Sequence, residues 1–245
     1  MLEFRVLGQL EVTSDGHPVS IDTAHKPRLV LAVLLAQSGQ AVSTEKLIDA
    51  VWGYANPPAS ARRNVQLYVH RLRHALGTAA ITSSLGGYVI ARDAALDARR
   101  FQALTEEGGR ALDNACPESA ANLLRAALDL WRGDAFAEFA ECEFIANEIA
   151  RLDQLHLTTY EKWAEAELLL GRHADVIDPL TRLKLKHPYH EGIRAHLMAA
   201  LQGVGRQADA LQIFRETRKL LCEKLGIEPG DKLQRVHRDI LRGAS

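Results

Sequence analysis

One stretch of this sequence returns at a fixed distance, and that confines the second part of the chain to one kind of architecture. Leu169-Leu170-Gly171-Arg172-His173-Ala174-Asp175 comes back as Gly203-Val204-Gly205-Arg206-Gln207-Ala208-Asp209, 34 residues later. In the same register Ala166 pairs with Ala200, Ile177 with Leu211 and Leu180 with Phe214. A period of 34 residues accommodates two antiparallel helices and a turn, and such pairs bury their apolar faces only by stacking. Residues 97–245 read as helix after helix, and Ala120–Trp131 is expected to form part of a further, less regular pair. The Gly203-x-Gly205 pair lies between two helices without a third glycine, so it reads as a turn and not as a nucleotide loop.

The first part of the chain has a different grammar. Phe4-Arg5-Val6-Leu7 and Leu10-Glu11-Val12-Thr13 alternate like short strands, and Asp15-Gly16 is a hairpin-turn signal. Pro27 suits the first turn of a helix reaching about Gln37, and its apolar residues run nearly all the way round, which argues for burial. Ser43 is placed to cap a second helix, Thr44–Trp52, with Leu47, Ile48 and Val51 facing inward. A third helix is expected from about Ala59 to Leu76, and Ala80–Thr82 with Tyr88–Ile90 flank a hairpin. Strands, three helices and a closing hairpin follow the order of a winged helix-turn-helix, in which the last helix enters the major groove of DNA. The expected fold class is therefore an α+β N-terminal winged helix-turn-helix, residues 1–94, followed by an all-α tetratricopeptide-like helical repeat domain, residues 95–245.

Charge supports the division. The whole chain of 245 residues has a formal net charge of −1, which by itself gives no push toward nucleic acid. Residues 1–96 nevertheless carry a net +2 and residues 97–245 a net −3. Between Asp49 and Asp93 lie 43 residues without a single Asp or Glu, where the average content would give about five. They hold Arg62, Arg63, Arg71, Arg73 and Arg92, the footprint of a surface that faces phosphates.

Projecting the third helix at about 100° per residue gathers Val65, Val69, Leu72 and Leu76 into a buried stripe. The opposite face carries Arg63, Asn64, His70, Arg71 and His74, flanked by Gln66 and Arg73. Arginine and glutamine there can read base edges, and Leu67, pointing into the polar face, suits a thymine methyl group. Leu67 equally suits packing against the loop or a protein partner. A merely solvated face would mix signs, and this one lacks carboxylates.

Other chemistry finds little support. Cys116, Cys142 and Cys222 are far apart and odd in number, which disfavours a disulfide framework or a zinc site. No Walker loop, Gly-x-Ser-x-Gly elbow or His-Glu-x-x-His pair occurs, so neither an enzyme nor a cofactor is expected. His187 and His190 read as a helix-to-helix turn around Pro188 rather than as metal ligands. The start of the chain lacks a basic-then-apolar signal pattern, and no apolar run is long enough to span a bilayer, so a cytoplasmic, nucleoid-associated location is expected.

Phe4-Arg5-Val6-Leu7-Gly8, Lys26-Pro27-Arg28, Leu47-Ile48-Asp49-Ala50-Val51-Trp52-Gly53 and Leu67-Tyr68-Val69-x-Arg71-Leu72-Arg73 resemble the SARP (antibiotic regulatory protein) family of transcriptional activators. So do Leu96-Asp97-x-x-x-Phe101, Leu130-Trp131-Arg132-Gly133, His187-Pro188-Tyr189-x-Glu191 and Leu225-Gly226-Ile227-Glu228-Pro229, which are similar to the family's bacterial transcriptional activation domain. The likeness covers essentially the whole chain and implies a small member without ATPase or sensor modules. It implies DNA contacts at Arg63, Tyr68, His70, Arg71 and Arg73, to which the charge and projection arguments add Arg62, Gln66, Leu67 and His74, with Gly87 and Tyr88 in a wing whose tip, Ser83–Gly87, is neutral. Trp52 matches a tryptophan whose indole N–H donates to a phosphate; its competing role is core filler. Tyr68 projects to the edge of the buried stripe. The resemblance further implies a homodimer on direct-repeat operators that recruits RNA polymerase holoenzyme through its sigma subunit, with antibiotic-biosynthesis genes as targets. The competing reading is a protein-interaction adaptor in which the winged helix itself binds protein.

Overall fold

A computed structural model of the chain describes residues 2–21, 24–54, 57–84, 86–91 and 94–243. Leu85 of the expected wing, and Arg92 with Asp93 at the end of the acid-free stretch, lie outside the described residues. In chain order the elements are β1 (Leu2–Arg5), β2 (Glu11–Ser14), β3 (His17–Pro18), α1 (His25–Ala36), β4 (Val42–Ser43), α2 (Thr44–Trp52), α3 (Ala61–Leu76), β5 (Ile81–Ser84), β6 (Gly87–Ile90), β7 (Ala95–Leu96), α4 (Asp97–Asp113), α5 (Pro117–Leu128), a 3-10 turn (Ala137–Phe139), α6 (Glu143–Leu169), α7 (His173–Lys186), α8 (Glu191–Gly203), α9 (Gln207–Leu225) and α10 (Asp231–Arg242). They fall into two compact units: Met1–Gln102 with Asp129–Leu155, and Ala103–Leu128 with His156–Ser245.

The first unit holds two sheets. One has the order β3-β2-β1-β7, with β1 antiparallel to β2 (Phe4 opposite Val12) and parallel to β7 (Phe4 opposite Leu96). Asp15 and Gly16 both take positive φ, 49° and 81°, the requirement of a tight hairpin turn. The second sheet, order β4-β6-β5, joins the residues just before α2 to the terminal hairpin, with Val42 opposite Tyr88 and Ser43 opposite Gly87. The two-residue strands β4 and β7 are too short to show as an alternating pattern, and the sequence reading does not contain them.

Helix α1 is the centre of this unit. Every residue from Leu29 to Leu35 is buried, as the all-round apolar pattern requires. The helix begins at His25. Pro27 is therefore its third residue, still within the first turn, where the absent N–H has no intrahelical acceptor to lose. Ser43 caps α2 as expected, its Oγ accepting from Lys46 N–H at 3.1 Å. In α2 only Leu47 of the expected inward stripe is fully buried; Ile48 and Val51 are half-buried.

The contact grouping departs from the linear division at residue 94, because the segment after α5 returns to the first sheet. Helix α5 ends at Leu128 rather than Trp131, and the chain then lies along the β1–β2 connection. Arg132 N–H donates to Leu7 O at 2.8 Å and Phe136 N–H to Val6 O at 2.8 Å. Gly8, at φ 146°, allows this approach: a Cβ there would stand 3.1 Å from Arg132 Cβ. Asp97, at the start of α4 and 4% exposed, locks the same corner. Its carboxylate accepts from the N–H groups of Val6 (2.9 Å), Leu7 (3.1 Å) and Ala98 (2.8 Å). Burial pushes the Asp97 carboxyl above the usual carboxylate range, while those N–H groups and Arg132 pull it the other way. Arg28 closes the other side, its Nε donating to Glu138 at 2.9 Å and its Nη2 to Leu10 O at 2.8 Å.

The second unit is helical and keeps the 34-residue register at the level of single hydrogen bonds. Leu170 N–H donates to Ala166 O and Val204 N–H to Ala200 O, both at 3.2 Å. Arg172 N–H donates to Glu167 O at 2.9 Å, and Arg206 N–H to Leu201 O at 2.8 Å. Gly171 and Gly205 take φ 74° and 79°, the left-handed conformation that ends each preceding helix. Ala166 and Ala200 are both fully buried, which lets successive helices approach closely around Trp163, Leu180, Ile193 and Met198. His190 is a helix cap: its Nδ1 accepts from Ile193 N–H at 3.4 Å. No helix among the described residues is long and apolar enough to cross a membrane.

Candidate nucleic-acid interface

The expected inner stripe of α3 is confirmed at Val65, Val69 and Leu72, each at most 1% exposed; Leu76 is half-buried. Fixing those three residues against the core turns the opposite face outward. Arg62, Arg63, Gln66, Leu67, His70, Arg71 and His74 are all exposed, and Leu67 is 44% accessible. None of the residues of α3 is acidic. Arg62 is paired with Glu45 of α2. The outward face thus combines guanidinium groups, imidazoles, an amide and one aliphatic side chain, a set able to meet phosphates, base edges and a methyl group.

Arg73, Tyr88, Gly87, Trp52 and Tyr68, all expected contact residues, also have partners inside the unit. Arg73 donates from Nε to Ile81 O at 2.7 Å and from Nη2 to Ser83 Oγ at 3.0 Å, and its guanidinium lies 5.7 Å from the Tyr88 ring centre. Arg73 and Tyr88 therefore fasten α3 to the hairpin. Gly87 is buried, and a Cβ there would meet Val42 O at 2.0 Å, so its glycine is explained by the close passage of β6 along β4. Trp52 and Tyr68 stack on each other, with ring centres 6.2 Å apart and planes 19° from parallel. Each is half-buried, and together they join the end of α2 to the middle of α3.

The wing is fixed at its turn by a residue absent from the sequence reading of the site, Thr44. Gly86 O accepts from both Thr44 N–H (3.0 Å) and Thr44 Oγ1 (3.1 Å). This bond ties the turn of the hairpin to the first residue of α2. The only trace of it in the sequence is a hydroxyl directly after the cap residue Ser43.

The comparisons agree with this layout. Residues 18–90 match the family described as transcriptional regulatory protein, C terminal, and residues 96–241 match the bacterial transcriptional activator domain. Regulatory protein DnrI of Streptomyces peucetius is 37% identical over 253 residues, an alignment covering 98% of this chain and 92% of that protein. The chain belongs to the SARP family of transcriptional regulators. A second SARP relative, transcriptional regulator RedD of Streptomyces coelicolor, is 36% identical over 251 residues, covering 96% of this chain and 71% of its own. The solved structure of Mycobacterium tuberculosis EmbR in complex with a low affinity phosphopeptide superposes with a TM-score of 0.91 at 34% identity, covering 98% of this chain and 65% of that one. Like these SARP proteins, the chain has a winged-helix-like region followed by a helical domain.

Proposed function

We propose that this chain is a sequence-specific DNA-binding activator. In this reading α3 enters the major groove and the β5–β6 hairpin lies against the neighbouring backbone. Arg63, Gln66, Leu67, His70, Arg71 and His74 are the residues placed to meet bases and phosphates, with Arg62 at the edge. Arg73, Tyr88 and Gly87 hold the wing in position beside them. The observation that carries the reading is the outward face of α3, which is exposed along its length and has no acidic residue of its own.

The same chemistry favours more than one copy per site. A single α3 offers few cationic groups, and each phosphate contact releases only about 0.9 counterions. Two copies on a direct repeat multiply that modest affinity through effective concentration. The helical second unit then faces RNA polymerase holoenzyme, its sigma subunit included, since stacked helical repeats serve to present surfaces to proteins. The regulated genes are those of antibiotic biosynthesis, the work is done in the cytoplasm at the nucleoid, and neither catalysis nor a cofactor is required.

A mobility-shift titration over a salt series tests this, with one and with two half-sites on duplexes of equal length. The expected result is a selective shift, steeply weakened by salt, that is much stronger with two half-sites. Equal affinity for one and two half-sites contradicts the paired-copy model. No selective shift from folded protein contradicts DNA recognition altogether and leaves the adaptor reading.

A further inference from the structure

The Lys26-Pro27-Arg28 triplet opens α1, and its two cations have different fates. Arg28 turns inward, between Glu138 and Leu10 O. Lys26 is exposed and has no acidic partner among the described residues. Its Nζ sits 4.9 Å from the centre of the Trp52 ring, and that same indole stacks on Tyr68 of α3. One contiguous chain of contacts therefore runs from the ammonium on α1, through the end of α2, to the residue beside Leu67 on the outward helix.

We infer that Lys26 is a further anchor for a DNA backbone phosphate, seated by Trp52, and that Trp52 and Tyr68 are positioning residues that carry the phosphate-facing surface from α3 onto α1. The inference rests on the DNA-binding reading. Three observations support it. A lysine over an aromatic face keeps its charge toward solvent while its flexible stem is held, so less freedom is lost when a phosphate arrives. The first turn of α1 contains no acidic residue to compete for it. Its seat is coupled by direct stacking to the helix that carries the other cations. A purely structural cation–π contact would need no such alignment with α3 and would leave DNA binding unaffected by loss of the charge.

The test uses the full chain, a duplex with two half-sites that the wild type shifts selectively, and a scrambled duplex of the same length. Lys26→Gln removes the charge and keeps the stem; Lys26→Arg restores a cation. The expected result for Lys26→Gln is a plot of log affinity against log salt whose slope is shallower by about 0.9. Its loss of affinity should be equal on both duplexes, because phosphates carry no sequence, and Lys26→Arg should return the wild-type slope. Trp52→Leu, which keeps the charge but removes the seat, should lower affinity several-fold at unchanged slope. If Lys26→Gln keeps the wild-type slope while the wild type binds DNA, the anchor is overturned and DNA recognition by α3 stands. If Trp52→Leu binds as the wild type does, the positioning role is overturned. If the wild type itself binds neither duplex, the DNA reading falls, and this inference with it.

Discussion

Arginine is used in opposite ways on α3 and in the second compact unit. In the second, Arg172, Arg206 and Arg218 each lie 2.7 Å from a carboxylate oxygen, of Glu118, Asp209 and Glu228 respectively. On α3 the arginines share a helix with no acidic residue at all, and the one acid that Arg62 reaches belongs to α2. Matched pairs neutralise a surface locally and steer nothing beyond a Debye length. Like charges concentrated on one face leave a field that an anionic partner can complete. The contrast fits the proposed recognition of a polyanion by α3.

The buried polar groups extend the contrast. Asp97 holds the first unit by accepting backbone N–H groups, so its removal should be the most damaging single change. Asp97→Ala leaves the Val6 and Leu7 N–H groups buried without acceptors, and the expected loss is about 4 kcal/mol. Urea unfolding measures the loss, and amide exchange at Val6 and Leu7 shows whether the sheet corner is where the fold opens.

The second unit should instead be sensitive to acid through His196. Burial lowers its pKa from 6.5 to about 4, and its Nδ1 lies 2.9 Å from Gly192 O, consistent with the neutral tautomer that donates there. The folded unit thus keeps His196 neutral while the unfolded chain takes up a proton below pH 6.5. Stability from this group is complete above that pH and is lost as pH falls toward 4, by about 3 kcal/mol at most. His196→Gln, which keeps a donor for Gly192 O and does not titrate, should flatten that part of the pH–stability curve. An unchanged curve would contradict the assignment.

Smaller effects separate wing from helix. Arg73→Ala removes the bonds to Ile81 O and Ser83 Oγ and should cost about 1–2 kcal/mol. It should weaken DNA binding by loosening the hairpin, a loss that stabilising osmolyte partly restores; a contact residue would show no such rescue. Smallest of all is Arg206→Ala in the second unit, whose pair with Asp209 is exposed on both sides and which should leave both the unfolding midpoint and DNA affinity near wild-type values. A marked loss of DNA affinity there would break the division of labour.

The legible parts of the molecule were those encoded within single elements. Val65, Val69 and Leu72 disclosed the orientation of α3, since helical spacing alone decides which side faces a core. Gly171 and Gly205 disclosed the repeat, because the same left-handed turn is needed twice. What escaped depends on neighbours distant in sequence. A projection of α3 by itself places Arg73 beside Gln66, but it contains no Ile81 carbonyl to draw the guanidinium toward the hairpin. The passage of Val42 against Gly87 is likewise a fact of sheet pairing. The return of 129–142 to β1 and β2 rests on backbone bonds to Leu7 and Val6 and on pairs such as Arg28 with Glu138, whose members are far apart in the sequence. Lys26 appeared as part of a motif, and only the fold brings it onto Trp52.

The central claim is that the outward face of α3 reads DNA, and the Arg63→Ala/Arg71→Ala double variant tests it most directly. Both residues are exposed, so the fold should survive, as thermal unfolding would verify. The measurement is the ratio of affinities for a selected duplex and its scrambled counterpart at fixed salt. The account predicts that affinity for the selected duplex falls about 100-fold or more and that the ratio drops toward one. A folded double variant that keeps the wild-type affinity and ratio would contradict it.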